Sequence, residues 1–287
     1  MSRKANVIKV IIAQMPVGHN KEATVAHTLG EVRKAAKANP TAKLAILPES
    51  FNCPYGPEHF RKYSESVPNG PTCKALSNLA KELKIYIIGG SIMELDDNKV
   101  YNTSTIWGPS GEFIGRHRKI HLFAVDIRKE NLGGCTFSEF TELTAGKDIT
   151  TFEIEGRKFG VGVCHDIRFD ELAKIYRMEG TEAMIYPAAF CVCQGPMHLK
   201  MLQQARAIDN GMFVGTVCCA RDPTPEYVAW GHSMIVDPWG QTIAEAGEKE
   251  EVMMVDFDFT KVDEFRKQIP IFNQRRTDLY SLVYKKN

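Results

Sequence analysis

Short apolar runs alternate with amphipathic stretches along the whole chain, and this alternation restricts the possible folds more than any other feature of the sequence. Apolar runs of about four to eight residues bounded by turn residues read as buried strands, while apolar positions recurring every three or four residues read as one face of a helix. On that basis the sequence predicts strands over 7–14, 44–47, 85–92 (interrupted at Gly89-Gly90), 158–164, 184–187, 213–218, 232–237 and 252–257. It predicts helices over 22–38, 72–83, 171–178 and 199–210, and a hairpin from 101–107 to 113–118 around Pro109-Ser110-Gly111. Strands that alternate with helices imply an α/β layered architecture. No Ser/Gly-rich linker, low-complexity tract or repeat interrupts the pattern, so one domain is expected over 1–287. The polar segment 125–134 is expected to be the least ordered. The tail after Phe272 is basic and polar, with Leu279, Tyr280, Leu282 and Tyr284 as anchors for a partner surface.

Composition narrows the function class. The chain of 287 residues carries 36 basic and 35 acidic side chains, a formal charge of +1, which gives no electrostatic reason to expect nucleic acid as a partner. No stretch approaches the ~20 apolar residues that cross a bilayer. The first residues lack the apolar core of a secretory signal, so a cytoplasmic protein without membrane contact is expected. The eight cysteines are then expected as reduced thiols, several inside apolar runs. Cys191-Val-Cys193 and Cys218-Cys219 do not have the spacing of a zinc site, so no metal is expected.

Three segments carry chemistry. In Lys158-Phe-Gly-Val-Gly-Val-Cys164 a slim apolar strand delivers a thiol to a strand-to-helix elbow. Such an elbow exposes a nucleophile beside backbone N–H groups that can hold an oxyanion. The competing reading is an inert buried thiol. In Leu44-Ala-Ile-Leu-Pro-Glu49 an apolar strand ends in a carboxylate at the rim where α/β sheets bind ligands. A half-buried glutamate there has a raised pKa and suits a general base, although taken by itself the segment fits an ordinary loop glutamate after a Pro turn better. Gly115-Arg-His-Arg-Lys119 is a cation cluster that either projects one charge inward or forms a solvated face. His165 beside Cys164 makes a poor dyad, because neighbouring strand residues point to opposite faces.

Taken together, Leu47-Pro48-Glu49, Arg118-Lys119-Ile120-His121-Leu122-Phe123 and Gly162-Val163-Cys164-His165-Asp166-Ile167-Arg168-Phe169 resemble the three signature segments of the nitrilase (carbon–nitrogen hydrolase) superfamily, in the family's order. Tyr186-Pro187-Ala188-Ala189-Phe190, Trp230-Gly231-His232-Ser233 and Asp237-Pro238-Trp239-Gly240 extend the likeness across nearly the whole chain. Phe51-Asn52 and Pro54-Tyr55-Gly56 are similar to the omega-amidase branch. The resemblance implies a four-layer αββα sandwich, a homodimer, no cofactor and a small-molecule amide substrate. It implies Glu49 as base, Cys164 as nucleophile, and Lys119 with the His165 N–H as oxyanion donors, with Glu139 orienting the lysine or the substrate. It further implies Arg168 as the anchor for a substrate carboxylate and Tyr55 and Phe190 as pocket walls. Departures from the branch occur at His165 (usually Tyr), Ala124 (usually Asp) and Gln194 (usually Thr), and the loop between Lys119 and Glu139 is longer. An N-carbamoyl-amine or aliphatic amidase on the same scaffold, or a catalytically silent binding member, are the alternatives.

Overall fold

A computed structural model describes residues 4–128, 134–224 and 227–285. The first half of the chain runs β1 (Val7–Gln14), α1 (Lys21–Ala38), β2 (Ala42–Ile46), α2 (Pro57–Tyr63), α3 (Pro71–Leu83), β3 (Tyr86–Ile88), β4 (Ile92–Asp96), β5 (Lys99–Trp107) and β6 (Phe113–Arg118). The second runs β7 (Ala124–Ile127), β8 (Cys135–Ser138), β9 (Thr150–Ile154), β10 (Arg157–Val161), α4 (Asp170–Met178), β11 (Ala183–Ala188), α5 (Lys200–Asn210), β12 (Phe213–Cys218), β13 (Met234–Val236), β14 (Thr242–Glu245), β15 (Glu251–Asp258) and α6 (Thr260–Gln268). One sheet has the order β15-β1-β2-β3-β5-β4, with β6 also paired to β5, and the other has the order β14-β13-β12-β11-β10-β9.

The two-residue period of a strand sorts each run into two cores. In β1, Ile8, Val10 and Ile12 face the other sheet, where they meet Phe159, Val161, Ile185 and Phe213. The alternate residues Ile11 and Ala13 face α1 and α3 and pack with Val25, Leu29, Val32, Leu76 and Leu79. In β11, Ala183 and Ile185 point to the central core. Met184 and Tyr186 point outward to Leu172, Ala173 and Tyr176 of α4 and Ala207 of α5. Both sheets are therefore covered on both faces, and the expected αββα sandwich in one domain is present. That explains why the strands read as continuous apolar runs instead of alternating ones.

Three expectations are corrected. Ala124–Ile127 is strand, because it pairs antiparallel with Cys135–Ser138; within the segment expected as a loop, 129–133 lie outside the described residues. The turn at Pro238-Trp239-Gly240 leads into β14, a strand absent from the sequence expectation, and the strand at 251–258 crosses to the first sheet and pairs with β1. Cys191 and Cys193, expected as separate thiols, form a disulfide. The turn closed by Gln194 N and Gly195 N on Cys191 O, at 3.1 and 2.8 Å, folds the two side chains together. In the tail, Leu279, Tyr280 and Val283 are exposed, whereas the Tyr284 hydroxyl accepts from Ile149 N at 3.3 Å. Among the described residues no helix is long and apolar enough to cross a membrane.

Candidate active site

β1, β2 and β3 are parallel, and β6 runs with them after two antiparallel steps through β5. β10, β11 and β12 are likewise parallel. The carboxyl ends of these strands carry Glu49, Lys119 and Cys164, and the sandwich brings the three together as ligand sites in α/β sheets require.

Glu49 sits in a turn clamped from the neighbouring strand connection. Ser91 N donates to Pro48 O at 3.1 Å, Ser50 N donates to Ser91 Oγ at 2.9 Å, and Phe51 N donates to Ser91 O at 3.2 Å. Lys119 follows β6, its backbone held by Lys119 N to Asn102 O and Gly146 N to Lys119 O, both 2.8 Å. The strand period divides the cation cluster. Arg116 and Arg118 turn outward to Glu94, while His117 turns inward and Lys119 reaches the site.

Cys164 stands at a left-handed turn with φ +44°, where β10 gives way to a short 3₁₀ turn before α4. The strand thus ends at Val161, three residues earlier than the apolar run suggests. Asp166 locks this elbow. Its buried carboxylate accepts from Val163 N (2.9 Å), His121 N (2.9 Å), His121 Nδ1 (2.8 Å) and His117 Nε2 (3.1 Å). These donors outweigh burial and hold the Asp166 carboxyl well below the usual range. A Cβ on Gly162 would lie 2.6 Å from the Tyr186 ring, so only glycine lets the elbow approach β11 this closely.

Lys119 Nζ donates to Glu49 Oε1 and to Glu139 Oε1, each at 2.9 Å, and all three side chains are fully buried. Tyr55 OH donates to Glu139 Oε1 at 2.7 Å, Asn102 Nδ2 to Glu49 Oε1 at 2.8 Å, and Phe123 N to Glu139 Oε2. Burial pulls the Lys119 ammonium down, but the charges of Glu139 and Glu49 more than offset it and the net shift is upward. Burial pushes the Glu49 carboxyl up, against Lys119, and Glu139 pushes it further. Glu49 Oε2 is buried without an aligned partner among the described residues, and the Cys164 thiol is close enough to couple to the carboxylate. Burial first, then the Glu49 charge, raise the Cys164 thiol well above its usual value; Lys119 and the Ala189 N–H pull the other way.

Arg168, half-buried at the end of the 3₁₀ turn, donates to Gln194 Oε1 at 2.6 Å and lies 3.4 Å from His198 Nδ1. Its guanidinium rests 5.2 Å from the centre of the Phe190 ring and has no carboxylate partner among the described residues. Burial lowers its pKa. His165 packs edge-on against Phe123 and Phe169, and burial together with the Lys119 and Arg168 charges lowers its pKa to about 3.

A cavity of about 1000 Å³ opens beside this cluster, with Glu49, Tyr55, Phe137, Ala189, Cys219 and Tyr227 among its lining residues. Of the candidate site residues named from sequence, Glu49 and Tyr55 line this cavity. The Cys164 sulfur lies at the main chain of Ala189, a residue that lines the cavity. Sequence reasoning did not find Tyr227, whose ring packs 4.6 Å from that of Tyr55, nor Asn102 or the clamp role of Asp166. Asn102 lies within a buried strand and Tyr227 within a loop, and neither position carries a local signal.

The carbon-nitrogen hydrolase family model matches residues 9–267. The chain is 44% identical to the mouse (Mus musculus) protein omega-amidase NIT2 over 281 residues, covering 98% of this chain and 99% of that one. It is 42% identical to the human (Homo sapiens) omega-amidase NIT2, with 97% and 98% covered. The crystal structure of Saccharomyces cerevisiae Nit3, a member of branch 10 of the nitrilase superfamily, superposes with a TM-score of 0.86 at 39% identity, covering 95% of this chain and 98% of that one. The chain belongs to the carbon–nitrogen hydrolase family of the nitrilase superfamily, and it is a hydrolase acting on carbon–nitrogen bonds.

Proposed function

We propose that the protein hydrolyses a short amide bearing a distal carboxylate, of the 2-oxoglutaramate or 2-oxosuccinamate kind, through a thioester on Cys164. One observation carries the substrate class: a half-buried guanidinium, Arg168, lies close to Cys164 with no carboxylate partner among the described residues. A cation withdrawn from water without an opposing charge is costly, and a planar guanidinium matches a carboxylate in a two-point pair. The name omega-amidase borne by the similar mammalian proteins supports the same reading.

The raised pKa of the Cys164 thiol implies that the resting nucleophile is protonated. Glu49, itself raised by burial, is suited to take that proton as the sulfur attacks the amide carbon. Lys119 spends two of its three N–H donors on Glu49 and Glu139, and the third meets only the distant Tyr55 hydroxyl at 3.4 Å. That third donor, with the His165 main-chain N–H, is assigned to the oxyanion. Glu49 then protonates the leaving nitrogen, ammonia departs, and a thioester remains. Water deprotonated by Glu49 releases the acid and restores the thiol. Glu139 holds Lys119, and Gln194 fixes the direction of Arg168.

Ammonia release from 2-oxosuccinamate, N-carbamoylputrescine and a neutral aliphatic amide tests the reading. Preference for the oxo-acid amide, with Arg168→Met lowering its kcat/KM about 100-fold and sparing the neutral amide, is the expected outcome. Equal loss on both substrates would make Arg168 structural and move the specificity to another branch. Cys164→Ala is expected to abolish turnover while leaving the fold intact. Pairing of two chains through the tail belongs to the same proposal, supported by the exposed Leu279, Tyr280 and Val283; a monomer by light scattering would remove it.

A further inference from the structure

We infer that Cys135, Cys191 and Cys193 form, in their reduced state, a three-sulfur site for a soft thiophilic cation at the edge of the active-site cavity. The three sulfur atoms all lie within 4.8 Å of one another. Sulfurs bound to one ion at about 2.3 Å stand roughly 3.8–4.0 Å apart in tetrahedral or trigonal geometry, so once their bond is open the Cys191 and Cys193 sulfurs separate to that spacing while Cys135 stays within reach. The ligands come from two separate elements. Cys135 opens β8, and Cys191 and Cys193 lie in the turn after β11. The sequence spacing therefore shows a Cys-x-Cys pair and conceals the third ligand.

The turn is rigidly presented. Gln194 N and Gly195 N close it onto Cys191 O, Val192 N donates to Val228 O at 3.0 Å, and Trp230 N donates to Phe190 O at 2.6 Å. Cys191 and Cys193 are buried, while Cys135 is partly exposed and lines the cavity, so an entry path exists. Three thiolates with no carboxylate or imidazole in the group select a soft d¹⁰ ion such as Zn²⁺ or Cu⁺ over Mg²⁺ or Ca²⁺. The fourth position is left to water.

Loading requires the Cys191–Cys193 bond to be open. A dithiol reductant delivers two electrons and two protons to the two sulfurs and becomes a cyclic disulfide. A divalent ion then binds the three sulfurs and three protons leave to water. The bound ion would tie β8, which carries Phe137 and leads to Glu139, to the turn that carries Phe190 and Gln194. The site does not depend on the amide reading above, since none of its three sulfurs takes part in that chemistry.

The test is titration of the full chain with Cd²⁺, in a Cys164→Ala background so that the nucleophile does not compete. Binding is followed by sulfur-to-cadmium charge-transfer absorption, and the ¹¹³Cd chemical shift counts the sulfurs. Expected are one ion per chain after dithiol treatment and removal of the reductant, a shift typical of three sulfur ligands, and an affinity loss above about ten-fold in Cys135→Ser and in Cys193→Ser. Circular dichroism checks that each variant is folded, and the ¹¹³Cd shift of the parent chain decides the matter if one is not. Binding indifferent to both substitutions, a shift showing fewer sulfurs, or no saturable binding would overturn the site and leave a disulfide with a bystander thiol.

Discussion

Lys119 Nζ is held between the carboxylates of Glu49 and Glu139, donating to each at 2.9 Å, while Glu139 Oε2 is fixed by Phe123 N. The Glu139 charge raises the Glu49 pKa, so Glu139→Gln should lower it. The acid limb of the kcat/KM profile should move to lower pH, and kcat should fall about 100-fold as Lys119 loses its orientation. An acid limb that stays in place, or an unchanged kcat, would remove this role.

Asp166 is expected to matter for stability as much as for rate. Asp166→Ala leaves Val163 N and His121 N without their acceptor beneath the elbow. Breaking a buried charged network of this kind costs about 3–5 kcal/mol, so Tm should drop by roughly 10 °C. Because the Asp166 carboxyl is depressed in the fold, its contribution is present above its ordinary range and fades as pH falls. Calorimetry of the variant at neutral and acid pH checks both parts; the difference from the parent should shrink toward low pH.

His165 gives an acid-side signature of its own. Its pKa falls from 6.5 to about 3 on folding. Between those values the unfolded chain binds a proton that the folded chain refuses, so this group leaves stability level above about pH 6.5 and lowers it progressively down to about 3. His165→Phe should flatten the fall of Tm over that window. A parent and variant with parallel Tm curves would show that His165 is not buried as described.

Gly90 supports Glu49 from below. It has φ +58°, and a Cβ there would stand 2.1 Å from Pro48 O, in the turn that presents Glu49. Gly90→Ala combines left-handed strain of about 1–2 kcal/mol with a backbone clash that must displace Pro48-Glu49. Urea unfolding should show the stability loss, and turnover should fall with it. Unimpaired turnover in a destabilised variant would mean that Glu49 tolerates the movement.

The parts of the site that could be read from sequence share one property: each ends a strand. Glu49 and Cys164 follow apolar runs and Lys119 follows the second strand of the hairpin, while the meeting of the three was implied by the resemblance to the family's signature segments. Asp166 lay in the same motif but looked like one more polar residue after Cys164, because its partners His117 and His121 belong to β6 of the other sheet and the segment that follows it. β14 escaped notice because three of its four residues are only half-buried, the fourth is exposed, and they show no apolar run. Cys135 showed nothing, since its proximity to Cys191 and Cys193 depends on how the β7–β8 hairpin packs. Periodicity reports which face of an element is buried and is silent about which element covers it.

The pairing of β15 with β1, from Val7 opposite Asp258 to Gln14 opposite Glu251, has a consequence during synthesis. Until residue 258 leaves the ribosome, the first strand made has an open edge along its full length, with main-chain donors and acceptors that any other strand can use. Closure waits for nearly the whole chain, and contacts so distant in sequence form slowly. Nascent and C-terminally truncated chains should therefore be the aggregating species, and a chaperone that shields β1 would act before any other part of the fold needs help.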